Sequence, residues 1–367
     1  MNIGILTFHN AHNYGAVLQC YALKRYLLGQ GHSVEVINYK NPVIANVYRE
    51  KLSDKYPLID IIHMRRIPKL VKGKIDSLYA QKEWSVQYKK FERFIICTLL
   101  DGKAEEVKSI PVSGYDALIA GSDQIWNASL TGGIDPVYLL NFQTDARKIF
   151  YGASNGIGTI PEEQIAIYKK ALKSAFAIST REQKLADDII KRLGYPTVGV
   201  VDPTLLISRL DYVNLIGSSK NMEKFIFTYF VSEDKTLSEA SQYLSRVLRM
   251  PSIELHYYKT KKMKGQMQRA DMGPEDFLWH VDNAEYILTN SFHGTVFALL
   301  FHKPFFCVYG NDVRKDTLLE QLSCQTRHLR TLTEIDLNNV IDYQLIDEKL
   351  AVMRMGSEQF LKKALEQ

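Results

Sequence analysis

His293 lies in the run Thr289-Asn290-Ser291-Phe292-His293-Gly294-Thr295, between the apolar Tyr286-Ile287-Leu288 and a long apolar stretch that continues to Leu300. This pattern reads as a buried strand, a polar turn and a helix opening at Gly294. A helix N-terminus presents free backbone N–H groups and a partial positive charge. It therefore disfavours a protonated imidazole, and a bound anion restores that proton. A histidine placed there, with Asn290 and Ser291 beside it, suits a site that holds an anion and moves a proton to it.

Five other polar runs follow apolar ones in the same way: "HNAHNYG" from His9, "GSDQIWN" from Gly121, "SNGIG" from Ser154, "STRE" from Ser179 and "DPT" from Asp202. Asn13 with Tyr14 either caps the helix that follows or admits a ligand to its N-terminus. Ser122 or Asp123 suits an N-cap, and Trp126 reads either as a core anchor or as a flat platform for a sugar ring. Ser154 and Asn155 belong to the same edge. Arg181 directly follows a buried strand, which makes it either one half of an ion pair or a two-pronged clamp on phosphate or carboxylate. Asp202-Pro203 reads as a turn that closes a domain. Such residues make good turns and caps on their own, but six such runs at strand ends describe a binding edge. The glycine spacing of a dinucleotide fingerprint is missing, because Gly4 and Gly15 are too far apart.

The elements that position these runs alternate. "NIGILTF", a helix ending at Gly31 and "SVEVINY" form a strand–helix–strand unit, and strands resume at Asp116, Lys148, Ala175 and Thr197. A second series begins with "KFIFTYFV" and runs through "SIELHYY", "YILT" and "PFFCVYG". Two doubly wound α/β domains are expected, facing each other across a cleft lined by the loops at their C-terminal strand ends. Their expected extents are 1–207, with a basic and aromatic helical insertion at about 43–110, and 208–367. On this reading Arg181 and His293 come from different domains yet serve one cleft.

Composition narrows the class. The chain has 367 residues, 46% hydrophobic and 24% charged, with a net charge of +5. That charge is too mild for a dedicated nucleic-acid binder. No run reaches the ~18 apolar residues of a membrane span, and Met1 leads directly into a strand rather than a signal peptide, so a cytoplasmic location is expected. Cys20, Cys97, Cys307 and Cys324 show no C-x-x-C spacing, and no metal site is expected. Two basic stretches, His63–Lys74 and Lys259–Gly265, read either as solvated surface or as attraction to an anionic substrate or membrane surface.

Taken in order, "NYGAVLQCYAL", "GSDQIWN", "YGASNG", "ISTRE", "VDPTLLI" and "TNSFHGTVFALLFHKPF" resemble the polysaccharide pyruvyl transferase family over nearly the whole chain. The resemblance implies a glycosyltransferase-B-like pair of Rossmann-type domains and transfer of pyruvate from phosphoenolpyruvate to a sugar of a cell-surface polysaccharide, such as a capsule or exopolysaccharide, or its precursor. The product is a ketal across two hydroxyls. It places the donor with the second domain and the acceptor with the first. His293 matches the family's donor-site histidine and Arg181 matches an arginine that looks like a donor ligand. Ser291 stands where many relatives have arginine, and Arg314 or Lys303 is expected to supply the missing charge.

Phosphoenolpyruvate is a trianion near neutral pH, so cationic groups and helix N-terminal amides, Gly294 among them, form its natural receptor. His293 is expected to protonate the donor's methylene carbon and Asp123 to act as base for the attacking hydroxyl. No cofactor or metal is required by this route. The expected partners are phosphoenolpyruvate and a sugar or lipid-linked oligosaccharide, with no nucleic acid, and a lipid-linked acceptor would bring the protein to the inner face of the membrane. Two alternatives stay open: a nucleotide-sugar glycosyltransferase using Glu275 to hold a ribose, and a non-catalytic sugar- or phosphate-binding protein.

Overall fold

The structure, a computed structural model, describes residues 1–46, 82–107, 110, 113–217, 223–256, 267–308 and 313–366. Both basic stretches and most of the expected insertion lie outside the described residues. The chain divides into two compact units. Unit 1 holds Met1–Ala45, Arg93–Asp211 and Gln344–Gln367, and unit 2 holds Asn46–Glu92 with Tyr212–Tyr343. The expected contiguous division after residue 207 is corrected in two places: Asn46–Glu92, expected within the first domain, falls in unit 2, and the last helix belongs to unit 1.

Unit 1 is built on β1 (Asn2–Leu6), α1 (Tyr14–Gly29), β2 (Ser33–Val36), β3 (Ala117–Ala120), β4 (Arg147–Ala153), α2 (Ile165–Leu172), β5 (Ala177–Thr180), α3 (Gln183–Leu193) and β6 (Val198–Gly199). Its six strands run parallel in the order β2-β1-β3-β4-β5-β6. Helices cover both faces of such a sheet, so its strands need apolar residues on both sides. Accordingly Ile3, Ile5 and Leu6 in β1 and all of Ala117-Leu118-Ile119-Ala120 in β3 are buried. Strand order reverses between β1 and β3, and there Thr7 Oγ1 donates to Ser122 O at 2.9 Å, joining the two loops at the point where open α/β sheets bind ligands. Gly121 is required at this junction. Its φ is +126°, and a Cβ would lie 2.1 Å from Tyr151 O.

Unit 2 contains β7 (Ile226–Phe230), α4 (Lys235–Leu248), β8 (Ser252–His256), β9 (Met267–Arg269), α5 (Pro274–Asn283), β10 (Tyr286–Thr289), α6 (Phe292–Leu300), β11 (Phe305–Val308), α7 (Val313–Gln321) and β12 (His328–Leu329). Its parallel order is β12-β11-β10-β7-β8-β9, so the reversal falls between β7 and β10. Asn290 stitches that junction: its Oδ1 accepts from Val231 N–H at 2.9 Å and its Nδ2 donates to Ser232 O at 3.0 Å.

Helix α8 (Tyr343–Glu366) closes unit 1. Val201 N–H donates to Ser357 Oγ at 2.9 Å, Arg354 donates to Leu205 O, and Arg147 Nη1 donates to Leu365 O at 3.1 Å.

Candidate active site

The edge of unit 2 is organised by α6. Ser291 is its N-cap, with Oγ accepting from Gly294 N–H at 3.2 Å, while Ser291 N–H donates to Thr289 Oγ1 at 3.0 Å. The helix has no acidic residue in its first turn. Gly294 lets it sit directly on β10, since a Cβ there would lie 2.4 Å from Thr289 Oγ1. His293 is the second helical residue and 8% exposed, beside N–H groups that have no partner within a helix. Phe292 packs edge-on against the His293 ring at 5.1 Å between centroids, and the Arg314 guanidinium lies 5.1 Å from the Phe292 centroid. The sheet edge thus brings together an imidazole, a guanidinium and a helix N-terminus.

Lys303 does not join them. β10 and β11 are parallel, with Ile287 opposite Phe305, so Lys303 stands where β11 enters the sheet while His293 stands where β10 leaves it. The length of α6, roughly 13 Å at 1.5 Å per residue, separates the two edges. Of the two cations expected to offset Ser291, the structure puts Arg314, not Lys303, beside the start of α6.

In unit 1, Arg181 meets three carboxylates: Asp202 at 2.8 Å, Asp123 at 3.6 Å and Glu182 at 3.9 Å, with its side chain 3% exposed. Burial lowers the guanidinium pKa, and Asp202, Asp123 and Glu182 more than offset this and leave it raised. One guanidinium thus serves three carboxylates within unit 1. Arg181 is therefore an anchor for carboxylates, which corrects the expectation of a clamp on the donor. Asp123 has φ +72° and pairs with Ala153 across the sheet edge. Asp202 also caps the turn after it, accepting from Thr204 N–H at 3.0 Å.

Several expected ligand contacts are engaged in local structure instead. Trp126 is 3% exposed, packs against Phe150 and Tyr168 at 5.3 Å, and donates Nε1–H to Tyr138 O. It is a core anchor, and the sugar-platform alternative fails because no face of the indole is left open. Asn13 caps α1 through Ala16 N–H at 3.2 Å, and Tyr14 is fully buried. Ser122 is buried and donates to Gly152 O at 2.9 Å. Asn155 forms a closed turn, accepting from Gly158 N–H at 2.9 Å and donating to Thr159 O at 2.7 Å. Ser154 donates to Glu182 Oε1 at 2.6 Å. Among the described residues, no group of three or more His, Cys, Asp or Glu side chains is placed to hold a metal ion, and no helix is long and apolar enough to cross a membrane.

The family model described as polysaccharide pyruvyl transferase matches residues 13–312, a span that includes the loop after β3 and the switch-point edge of unit 2. The chain belongs to the polysaccharide pyruvyl transferase family. A search of curated proteins gives no match. Among solved structures, the chain is similar to the UDP-GlcNAc 2-epimerase from Methanocaldococcus jannaschii (10% identity, 96% of this chain and 93% of that one, TM-score 0.45). It is also similar to the spinosyn forosaminyltransferase SpnP (12%, 98% and 95%, TM-score 0.42) and to the glycosyltransferase SsfS6 of Streptomyces sp. SF2575 (14%, 100% and 100%, TM-score 0.39). At these identities the likeness is one of fold alone.

One cation of this pyruvyl transferase family member escapes sequence reasoning. Lys315 is 1% exposed and donates to Val308 O at the C-terminal end of β11, next to β10, the strand that leads into α6 and His293. In "DVRKDT" it reads as one charge on a solvated helix face, and nothing in the sequence marks it as the one turned inward.

Proposed function

We propose that this protein transfers pyruvate from phosphoenolpyruvate to two hydroxyls of a sugar in a cell-surface polysaccharide or its precursor. Unit 2 takes the donor and unit 1 the acceptor. The observation that carries this reading is the α6 N-terminus, where His293 and Arg314 flank a helix start free of acidic residues. A trianionic donor finds there backbone N–H groups and a guanidinium. The start of α4, where a dinucleotide would place its pyrophosphate, carries instead Glu233 and the capping Asp234, whose Oδ1 accepts from Leu237 N–H at 2.9 Å.

In the proposed reaction His293 gives a proton to the methylene carbon, which becomes the methyl group of pyruvate and leaves C2 electrophilic. One sugar hydroxyl adds at C2, its proton passing to Asp123. Phosphate departs with the C–O bond electrons, and the second hydroxyl closes the ketal as its proton passes to the departing phosphate, so that the proton taken by Asp123 offsets the one His293 gave. The balance is one phosphoenolpyruvate and two hydroxyls giving one ketal and one phosphate, with no oxidant and no cofactor. A lipid-linked acceptor would bring the protein to the inner face of the membrane.

The test compares ligands by thermal shift and follows phosphate release. Phosphoenolpyruvate should raise the unfolding midpoint, and His293→Ala should lower turnover by about two to four powers of ten. His293→Gln should bind phosphoenolpyruvate nearly as well as wild type yet turn over no faster than the alanine form. A midpoint raised by uridine or guanosine diphosphate sugars but not by phosphoenolpyruvate would replace this reading with glycosyl transfer. Binding without phosphate release from any acceptor would mark a binding protein.

A further inference from the structure

Strand β8 buries a carboxylate and an imidazole together. Glu254 is 1% exposed and His256, the last residue of the strand, 7%. His256 Nε2 meets Glu254 Oε2 at 2.9 Å, and Ser241 on α4 donates to Glu254 Oε1 at 2.9 Å. Ser241 Oγ also lies 2.7 Å from Ser252 Oγ, which lies 3.2 Å from Thr228 Oγ1. This polar seam runs between the sheet and α4, among the apolar Ile226, Leu237 and Leu244. Among the described residues no lysine or arginine pairs with Glu254, and His256 is its counter-charge.

A buried carboxylate is costly unless it is paired and hydrogen-bonded. A parallel sheet has no structural need of one, since apolar residues fill both its faces. What the pair achieves is to fix a ring. A carboxylate only accepts, so Nε2 carries its proton toward Glu254, while the Phe230 ring stacks on the imidazole at 4.3 Å and 12°. Nδ1 receives no hydrogen bond from the described residues, and 8% of the His256 side chain stays open. An imidazole held by a carboxylate through one nitrogen, with the other available, is the arrangement of a proton carrier.

His256 also stands on the edge that serves the donor. Phe230 lies opposite His256, and Tyr229 lies opposite Thr289. One residue beyond Thr289, Asn290 therefore reaches the level of Phe230 and His256 on three neighbouring strands. Two strand spacings, about 10 Å, separate the backbones of Asn290 and His256. A small phosphorylated ligand at the start of α6 and the His256 side chain fill that interval between them.

We propose that His256, oriented by Glu254, holds the departing phosphate and carries its proton, an assignment that rests on the proposed donor. Breaking the C–O bond leaves negative charge on a phosphate oxygen, and His256 gives that oxygen the proton of Nδ1. The second hydroxyl returns a proton to Nδ1 as the ketal closes. The net movement is one proton from hydroxyl to phosphate, and the imidazole ends as it began.

The experiment titrates the full chain with inorganic phosphate, reading histidine ring signals by nuclear magnetic resonance and affinity by calorimetry. His256→Gln alone leaves Glu254 without its counter-charge, so it is combined with Glu254→Gln to give a neutral pair of similar shape. Phosphate should move the wild-type His256 signals, identified by their loss in the double variant. That variant should bind phosphate about tenfold more weakly, the loss of one charge-assisted hydrogen bond. Glu254→Gln alone should weaken phosphate binding as well. It removes a negative charge, so a carboxylate with no part in holding the imidazole would give tighter binding instead. His256 signals that phosphate leaves in place would overturn the proposal, as would equal affinity in the double variant or tighter binding in Glu254→Gln. If His256 responds to phosphate while phosphoenolpyruvate does not raise the unfolding midpoint, the phosphate site stands and the proposed donor falls. A midpoint raised by phosphoenolpyruvate with His256 unmoved keeps the donor and removes His256 from its site.

Discussion

Arg181 Nη1 and Asp202 Oδ2 meet at 2.8 Å inside unit 1, with side-chain exposures of 3% and 0%. A pair so placed has lost its water, and its worth depends on both partners being present. Asp123 and Glu182 lean on the same guanidinium from 3.6 and 3.9 Å. Arg181→Met should therefore destabilise the protein by about 3–5 kcal/mol, since it strands buried carboxylates. Arg181→Met with Asp202→Asn should recover part of that loss. Chemical denaturation of the three proteins checks both statements, and an Arg181→Met protein as stable as wild type would refute the anchoring role.

Ser291 occupies the cap of α6, so its replacement has a structural cost before any functional one. Ser291→Ala should lower stability by about 1 kcal/mol. Ser291→Arg exchanges the cap for a second guanidinium near the helix start. It should tighten phosphoenolpyruvate binding while melting earlier than wild type. A Ser291→Arg protein that melts later would contradict the capping assignment.

Arg314 and Lys303 offer a paired comparison of the two sheet edges. Arg314→Ala should weaken phosphoenolpyruvate binding by about tenfold, the order expected for one charge-assisted hydrogen bond to an anion. Lys303→Ala should leave it unchanged. Calorimetric titration reads both, and equal losses would show that the charge acts from long range rather than from the α6 start.

His280 sets part of the acid limit. Burial lowers its pKa, partly countered by the bond from Nδ1 to Asp276 O at 2.7 Å. A folded-state pKa below the unfolded value of about 6.5 means that folding favours the neutral ring. The stability it contributes is complete above about 6.5 and is lost as pH falls through the folded value. His328, also lowered by burial, acts in the same direction. His280→Phe should therefore lose less stability than wild type between about pH 7.5 and about pH 5.5. Parallel acid limbs for the two proteins would show that His280 does not set this limit.

The strands were readable because parallel sheets bury both faces: "NIGIL", "ALIA" and "YILT" are apolar without alternation. β9 and β12, of three and two residues, are too short to leave a pattern. The polar runs at strand ends were equally readable, but a side chain's partners were not. Arg181 and Asp202 are 21 residues apart, and Arg181 and Asp123 meet only through the pairing of separate strands. Trp126 shows the same limit, since size and neighbours alone do not distinguish a buried ring from an open one. Lys303 is near His293 in sequence but not in space, because a whole helix separates the two. The amphipathic stripe of α8 marks it as a packed helix without saying which sheet it covers.

That last helix has a consequence for how the protein is made. Between Ala45 and Gln344 the chain passes four times between the units, so unit 2 is synthesised before α8. Until then Val201, Leu205 and Arg147 lack the partners that α8 brings. The nascent first half must wait in an incomplete state with part of its sheet uncovered, the circumstance in which chaperones hold a growing chain.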